Sequence, residues 1–332
     1  MKVLFVYRGI GPDLRNSVID AQIQSFKELD AEILKYPISL GGFKGYLKAI
    51  TGLKRFLKEN SIDLIHAHYS YSGFVSYLCA PSKTICSLMG SDIYSQGYLI
   101  KKLTIVFSKY FWKKSIVKSE RMHSLVPNSV VIPNGVNFDT FYPVERQLAI
   151  KETKFATDKK NIIFIAEDIN SREKNFILAN DAIELLKDES VILIPVSGKR
   201  QDELKYFYSS ASLLLMTSLS EGSPNVIKEA MACNCPIVST DVGDVKWVMG
   251  DVAGCYIISK KIPEGMARQK VKSKKLEQDL IRETSDKIQE ALKFAEQVGR
   301  TKGRERIIEL GLDSATAAKK IIEIYKEVIN TK

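Results

Sequence analysis

Two kinds of apolar pattern alternate along the chain. Short runs rich in branched and aromatic residues, Val3–Tyr7, Glu32–Tyr36, Asp63–Ala67, Thr84–Leu88, Ser115–Lys118 and Val130–Ile132, are too brief for helices and predict buried strands. Between them lie segments whose apolar residues recur every three or four positions. Val18–Leu29 is one, and Tyr46–Glu59, with Leu47, Ile50, Leu53 and Leu57 on one face and Asn60 as its stop, is another. Gly73–Leu78 opens a helix, a helix lies near Leu99–Trp112, and a further one begins at Ser119. Strand and helix in strict alternation predict a parallel sheet covered on both faces.

The alternation breaks once and restarts. Val130–Ile132 runs into Pro133-Asn134-Gly135, where proline removes a ladder donor and Asn-Gly accepts positive φ, so the chain turns sharply. The polar stretch from about Pro143 to Lys160 then places a domain boundary near residue 148. The second half reads strand Asn161–Ala166, helix Asn175–Lys187, strand Val191–Pro195, helix Asp202–Ser209, strand Ser212–Thr217, helix Pro224–Ala232 and strand Pro236–Thr240. Ile262–Arg282 is basic and poor in apolar residues, a solvated loop and helix start. The last helix, Ser314–Asn330, gathers Ala318, Ile321, Ile322, Tyr325, Val328 and Ile329 on one face. The expectation is an α/β protein of two doubly wound domains, 1–148 and 149–313, facing a cleft, followed by a terminal helix, 314–332. Ligands of such sheets bind at the carboxyl ends of the strands.

Composition narrows the class. The 332 residues suit two domains of about 150 each. With 45% hydrophobic and 27% charged residues and no apolar run near the roughly 18 needed to span a bilayer, the chain reads as soluble and globular. The first apolar run meets Arg8 too soon for a signal-peptide core, which argues for a cytoplasmic protein. Five scattered cysteines make no disulfide framework, and Cys233-Asn234-Cys235 finds no second ligand pair at metal spacing, so no metal is expected. The charge of +10 is uneven, net +8 over residues 1–150 and +2 over 151–332, a field that draws anionic partners to the first half.

The densest chemistry lies from Thr217 to Val245. A buried strand ends there, a turn Ser220-Glu221-Gly222 follows, and a helix begins with Ser223 as cap and Pro224 at its first position. Unpaired N–H groups at a helix start suit a pyrophosphate or sugar hydroxyls. Glu221 stands at the mouth of this turn and Glu229 between one and two turns into the helix. Carboxylates accept from vicinal hydroxyls, which ribose and hexose both offer. An isolated pair at this spacing would read as a cap and an exposed helix glutamate; the flanking residues change that reading.

The run from Ser220-Glu221-Gly222-Ser223-Pro224-Asn225 through Glu229-Ala230-Met231-Ala232 to Asp241-Val242-Gly243-Asp244 resembles the donor-binding motif of retaining glycosyltransferases of family 4, which have the GT-B fold. The resemblance implies that Glu221 lies by the transferred sugar and that Glu229 holds the nucleotide ribose. It also places Gly222, Ser223, Pro224, Asn225 and Val226 around sugar and diphosphate. Val130–Asn137 looks like the family's interdomain signature, Ile65–His68 and Gly90–Ile93 resemble its first-domain loops, and the terminal helix resembles one that crosses back onto the first domain.

Departures are as informative. Where the family carries an arginine after the first strand of the second domain, this chain has Glu167-Asp168; Lys174, with a displaced Arg172, is left to neutralise the diphosphate. Where the family has a histidine before a first-domain glycine, this chain has Met89-Gly90-Ser91-Asp92, and Asp92 is the candidate to reach the cleft. His66 and His68 are taken to alternate on their strand, one packed and His68 a catalytic candidate. Arg8, Gly9 and Gly11, in a turn less glycine-rich than the family's, are candidates for phosphate or acceptor.

The implied reaction moves a hexose from a UDP- or GDP-linked sugar to an acceptor hydroxyl with retention, without cofactor, metal or protein nucleophile. The acceptor is a glycan or lipid-linked saccharide of a polysaccharide, glycolipid or related glycoconjugate. Lys101, Lys102, Lys109, Lys113 and Lys114 interleave with Tyr110, Phe111 and Trp112, as in helices that dock on the anionic inner membrane face. The competing reading puts those aromatics in a core. Two alternatives remain: a degenerate nucleotide-sugar-binding protein of the same fold, and a nucleic-acid binder. The second has charge but no recognisable reading element.

Overall fold

The structure, a computed structural model, describes residues 1–11, 13–14, 16–39, 42–94, 96–259 and 274–331. They divide into two compact units, Met1–Asn137 with Ser314–Lys332, and Phe138–Asp313.

In the first unit β1 (Lys2–Arg8), β2 (Glu32–Ile38), β3 (Leu64–His68), β4 (Thr84–Ser87), β5 (Ser115–Val117) and β6 (Ser129–Val131) form a parallel sheet in the order β2-β1-β3-β4-β5-β6. The helices are α1 (Ser17–Gln24), α2 (Gly42–Glu59), α3 (Ser70–Cys79), α4 (Ser91–Tyr94), α5 (Tyr98–Tyr110) and α6 (Glu120–His123). All five residues Val3–Tyr7 are buried because β1 sits inside the sheet and both its faces are covered. Val3, Phe5 and Tyr7 face Ile19 and Phe26, while Leu4 and Val6 face Ala49, Leu53 and Val75.

In the second unit β7 (Lys160–Ile165), β8 (Val191–Val196), β9 (Leu213–Met216), β10 (Ile237–Thr240) and β11 (Cys255–Ile258) are likewise parallel, in the order β11-β10-β9-β7-β8. Around them lie α7 (Arg146–Thr153), α8 (Phe176–Leu186), α9 (Gln201–Ser210), α10 (Asn225–Ala232), α11 (Val245–Met249), α12 (Lys274–Gln297) and α13 (Gly303–Glu309). The last helix, α14 (Ser314–Asn330), returns to the first unit, where Ala317, Ala318, Ile321, Ile322 and Tyr325 join Val3, Phe5 and Tyr7 in one core. Tyr325 stacks on Phe26 at 6.0 Å and its hydroxyl meets His66 Nδ1 at 2.6 Å.

Between the units the chain crosses at Asn137–Phe138, ahead of residue 148. The polar stretch 143–160 holds a helix, α7, started by the Glu145 carboxylate, which accepts from the N–H groups of Gln147 and Leu148 at 3.0 and 2.9 Å. Its apolar content is low, but Ala149 is fully buried and the helix packs on α9, so it belongs to the second unit. Of Ile262–Arg282, residues up to 273 lie outside the described ones, and the remainder is the start of α12.

Candidate active site

The turns after β7 and β9 are stitched together by hydrogen bonds to backbone carbonyls. Thr217 and Ser218 continue β9 as buried residues, and Thr217 Oγ1 donates to the carbonyls of Lys174 and Asn175 at 3.1 and 2.8 Å. Leu219 N–H donates to Glu173 O at 2.8 Å, and Thr240 Oγ1 ties Ser218 O to β10 at 2.7 Å. Two loops distant in sequence are thereby registered, and Lys174 Nζ donates to Glu221 Oε1 at 2.6 Å. Both side chains keep partial access to solvent. Arg172, on the same turn as Lys174, is exposed, as are Glu167 and Asp168 at the end of β7.

Helix α10 begins at Asn225, one residue later than the sequence pattern suggests. Pro224, at φ −68° and ψ 124°, takes the capping position, and no side chain caps the helix. Ser223 does not serve as cap because its Oγ accepts instead from Lys228 Nζ at 3.0 Å. The first N–H groups of α10 are therefore left to a ligand or solvent. Gly222 and Pro224 are buried, while Ser223, Asn225 and Val226 are half-buried. Gly243, at φ +60°, packs on this turn so closely that a Cβ there would lie 2.6 Å from Gly222 O.

Glu229 is 7% exposed, and Tyr208 Oη donates to its Oε2 at 2.8 Å. Burial pushes the Glu229 carboxyl up to about 7, opposed by the Tyr208 hydrogen bond and the charge of Lys228. Lys228 is itself buried, which lowers its ammonium below the ordinary range, while Asp244 and Glu229 pull it back. Tyr208, Lys228 and Asp244 escaped the sequence reading. Lys228 carries a local signal, a second charge beside Glu229 on an apolar helix, whereas Tyr208 meets Glu229 from another element 21 residues away.

In the first unit, His66 and His68 are two positions apart on β3 and so share one face, rather than dividing between core and surface. Their rings stack at 4.2 Å. His66 bridges Tyr325 Oη and Ser87 Oγ at 2.6 and 2.7 Å. His68 is also buried, its ring nitrogens without hydrogen-bond partners. Burial holds both imidazoles well below their usual range, with Lys118, another buried cation, opposing protonation of each.

Asp92 is fully buried rather than open, and its oxygens accept from the N–H groups of Ser70 and Met89, each at 2.6 Å. It fastens the start of α3 to the turn after β4. Burial raises its carboxyl to about 6 against those hydrogen bonds. Arg8 is exposed at the end of β1. The Gly9 N–H is spent on Ile38 O at 3.1 Å, and Gly11 adopts φ +70°. Pro12, in the same turn, lies outside the described residues.

The constellation of Lys174, Glu221, the open start of α10 and Glu229 falls within residues 171–272, which match the family model described as Glycosyl transferases group 1. Residues 16–119 match the model described as Glycosyl transferase 4-like. The chain belongs to the group 1 glycosyltransferases.

A glycosyltransferase of Methanocaldococcus jannaschii, itself uncharacterised, is 26% identical over 231 residues, 64% of this chain and 66% of that one. The putative teichuronic acid biosynthesis glycosyltransferase TuaC of Bacillus subtilis is 26% identical over 218 residues, 57% of this chain and 55% of that one. The matches thus span less than two thirds of these curated relatives. The Anabaena protein Alr3699/HepE, solved in complex with UDP-glucose, superposes with a TM-score of 0.70 over 98% of this chain and 100% of that one at 14% identity. That likeness shows the GT-B fold. In this glycosyltransferase, no described residues gather three or more His, Cys, Asp or Glu as metal ligands, and no described helix is long and apolar enough to cross a membrane.

Proposed function

We propose that the protein transfers a hexose from a UDP- or GDP-linked sugar to an acceptor hydroxyl with retention at the anomeric carbon, needing neither metal nor cofactor. The observation that carries this reading is the Lys174–Glu221 pair, set at 2.6 Å beside a helix start that no side chain caps. As the glycosidic bond to the donor breaks, negative charge grows on the diphosphate and positive charge on the sugar. Lys174 and the first N–H groups of α10 stabilise the former in a preformed site. Glu221 orients the sugar, and Glu229, held by Tyr208, accepts from the ribose hydroxyls. Donor binding exchanges the internal pair for these two sets of contacts.

The product is a cell-surface polysaccharide, glycolipid or related glycoconjugate, in keeping with the teichuronic acid role in the name of the Bacillus subtilis relative. The acceptor is a glycan or lipid-linked saccharide, met by a cytoplasmic protein on the inner membrane face. Helix α5 supports that contact: Trp112 is buried, donating to Gly73 O at 3.1 Å, but Tyr98, Leu99 and Tyr110 are exposed among Lys102, Lys109 and Lys113. Sedimentation with anionic but not neutral vesicles tests it.

The donor reading is tested by thermal stability with UDP, GDP, ADP and their sugar conjugates, comparing wild type with Glu229→Ala. A nucleotide at a hundred times its dissociation constant adds about 2.7 kcal/mol. A shift for one base, lost in the variant, supports the site; no shift with any overturns it. The exposed acids Glu167 and Asp168, where the family resemblance leads one to expect an arginine, favour a second reading as a degenerate nucleotide-sugar binder. Binding without transfer and without slow donor hydrolysis would select it.

A further inference from the structure

Three carboxylates surround the start of α10, and two already have donors: Glu221 holds Lys174 and Glu229 holds Tyr208. The third is Asp244, between β10 and α11. It is 9% exposed; the Ser223 hydroxyl stands close beside its carboxyl, but no hydrogen bond of normal geometry reaches either carboxylate oxygen. The close fit of Gly243 on Gly222 O, with Glu221 O at 3.0 Å from the same Cβ position, sets the Asp244 turn against the loop that carries Glu221. Lys228, bonded to Ser223 Oγ at 3.0 Å, supplies a positive charge near Asp244.

Two further polar atoms of this loop are buried without partners: Ser218 Oγ, where the loop leaves β9, and Asn225 Oδ1, on the first residue of α10. A carboxylate and an amide oxygen can only accept hydrogen bonds, and a hydroxyl can do so. Burying such atoms unpaired costs free energy that a bound donor of hydrogen bonds returns.

We propose that Asp244 is a specificity-determining residue that accepts hydrogen bonds from the hydroxyl groups of the donor sugar, restricting the donor to neutral hexoses. This rests on the donor site proposed above. A neutral ring presents vicinal hydroxyls to the two oxygens of Asp244 and to Asn225 Oδ1. A hexuronic acid brings a further carboxylate into a site that already holds Asp244 and Glu221, and like charges there repel with little solvent to screen them. Burial raises the Asp244 carboxyl above its ordinary range and the charge of Lys228 opposes that rise; Lys228 is already engaged by Ser223, so it does not offer the uronate a free partner.

The test is calorimetric titration of the full chain with UDP and GDP, their neutral-hexose conjugates and UDP-glucuronic acid, for wild type and Asp244→Asn. Wild type is expected to bind one neutral conjugate more tightly than its bare nucleotide and the glucuronate conjugate more weakly. Asp244→Asn is expected to weaken the neutral conjugate by about tenfold or more, the range of a hydrogen bond to a charged group, while the bare nucleotide changes by less than about twofold. Equal losses for nucleotide and conjugate would make Asp244 structural and overturn the proposal. An unchanged conjugate preference in the variant would overturn it and leave the donor reading standing. No nucleotide binding by wild type would remove both. Should Asp244→Asn fail to fold, the wild-type preference between neutral and glucuronate conjugates decides: equal binding overturns the proposal.

Discussion

Lys174 and Glu221, 47 residues apart in sequence, are held at 2.6 Å because the turns that carry them share the hydrogen bonds of Thr217 and Leu219. The pair is partly buried and stands where the proposed donor must enter, so each side chain neutralises the other until the donor arrives. Lys174→Met removes the cation aimed at the leaving diphosphate. By analogy with loss of other transition-state donors, kcat should fall about 100- to 1,000-fold, with weaker nucleotide binding. Glu221→Gln should keep or tighten nucleotide affinity, because Lys174 loses its competing partner, and lower turnover, because the proposed partner of Glu221 is the sugar. Steady-state kinetics beside nucleotide titration separates the two; a Glu221→Gln variant with normal turnover would remove Glu221 from the chemistry.

Tyr208 Oη donates a hydrogen bond to Glu229 Oε2 at 2.8 Å, deep in the second unit. That bond favours the ionised carboxylate and fixes how it is turned toward the proposed ribose site. Tyr208→Phe should weaken nucleotide binding by about tenfold, a typical value for a hydrogen bond to a charged group. It should also move the acid limb of the binding profile to higher pH, since one of the two influences that oppose burial is lost. Titrating nucleotide affinity against pH for both proteins checks this, and an unchanged profile would show that Tyr208 only fills space.

Glu229 also ties stability to pH. Its carboxyl titrates at about 7 in the folded chain against an ordinary 4.5, so the folded state holds a proton that the unfolded chain has released across that window. The stabilisation is fully present below 4.5 and is lost as pH rises through 7. Wild type should therefore lose stability relative to Glu229→Gln between about pH 4.5 and 7, with a constant gap above. Denaturant midpoints of the two proteins across this range give the difference. A gap that narrows with rising pH would show that the folded carboxyl is not raised.

The sequence made the strands legible where apolar runs were short and dense, as at Val3–Tyr7, because a buried parallel strand must be apolar on both faces. It made Glu221 and Glu229 legible as candidates because they lie in a dense local motif, whereas Lys174 became a candidate only through the family resemblance. It could not reveal that Asp92 is spent on the N–H groups of Ser70 and Met89, since that depends on how the turns after β3 and β4 meet. Nor could it reveal that Asp244 lies against the Glu221 loop, since that depends on the contact of Gly243 with Gly222. Helix α7 hid in a polar stretch because it is held by a cap and one buried alanine rather than by an apolar face.

Tyr325 Oη lies 2.6 Å from His66 Nδ1, and His66 Nε2 lies 2.7 Å from Ser87 Oγ, all buried. Tyr325→Phe leaves a buried imidazole nitrogen without its partner and should cost about 1–3 kcal/mol. Pairing it with His66→Phe should cost less than the sum of the two single losses, because the Tyr325 bond is counted only once, although the Ser87 hydroxyl is orphaned whenever His66 is replaced. Deleting Ser314–Lys332 is far more severe. It strips Ile321, Ile322 and Tyr325 from the core shared with Phe5 and Phe26, and burial of each large apolar side chain contributes about 1.5–3 kcal/mol. Against a typical stability of about 5–15 kcal/mol, that loss, with Ala317 and Ala318 also gone, should prevent the first unit from folding. Near-ultraviolet dichroism and solubility of the shortened chain read this directly; a soluble product with native dichroism would show that α14 merely rests on a core complete without it.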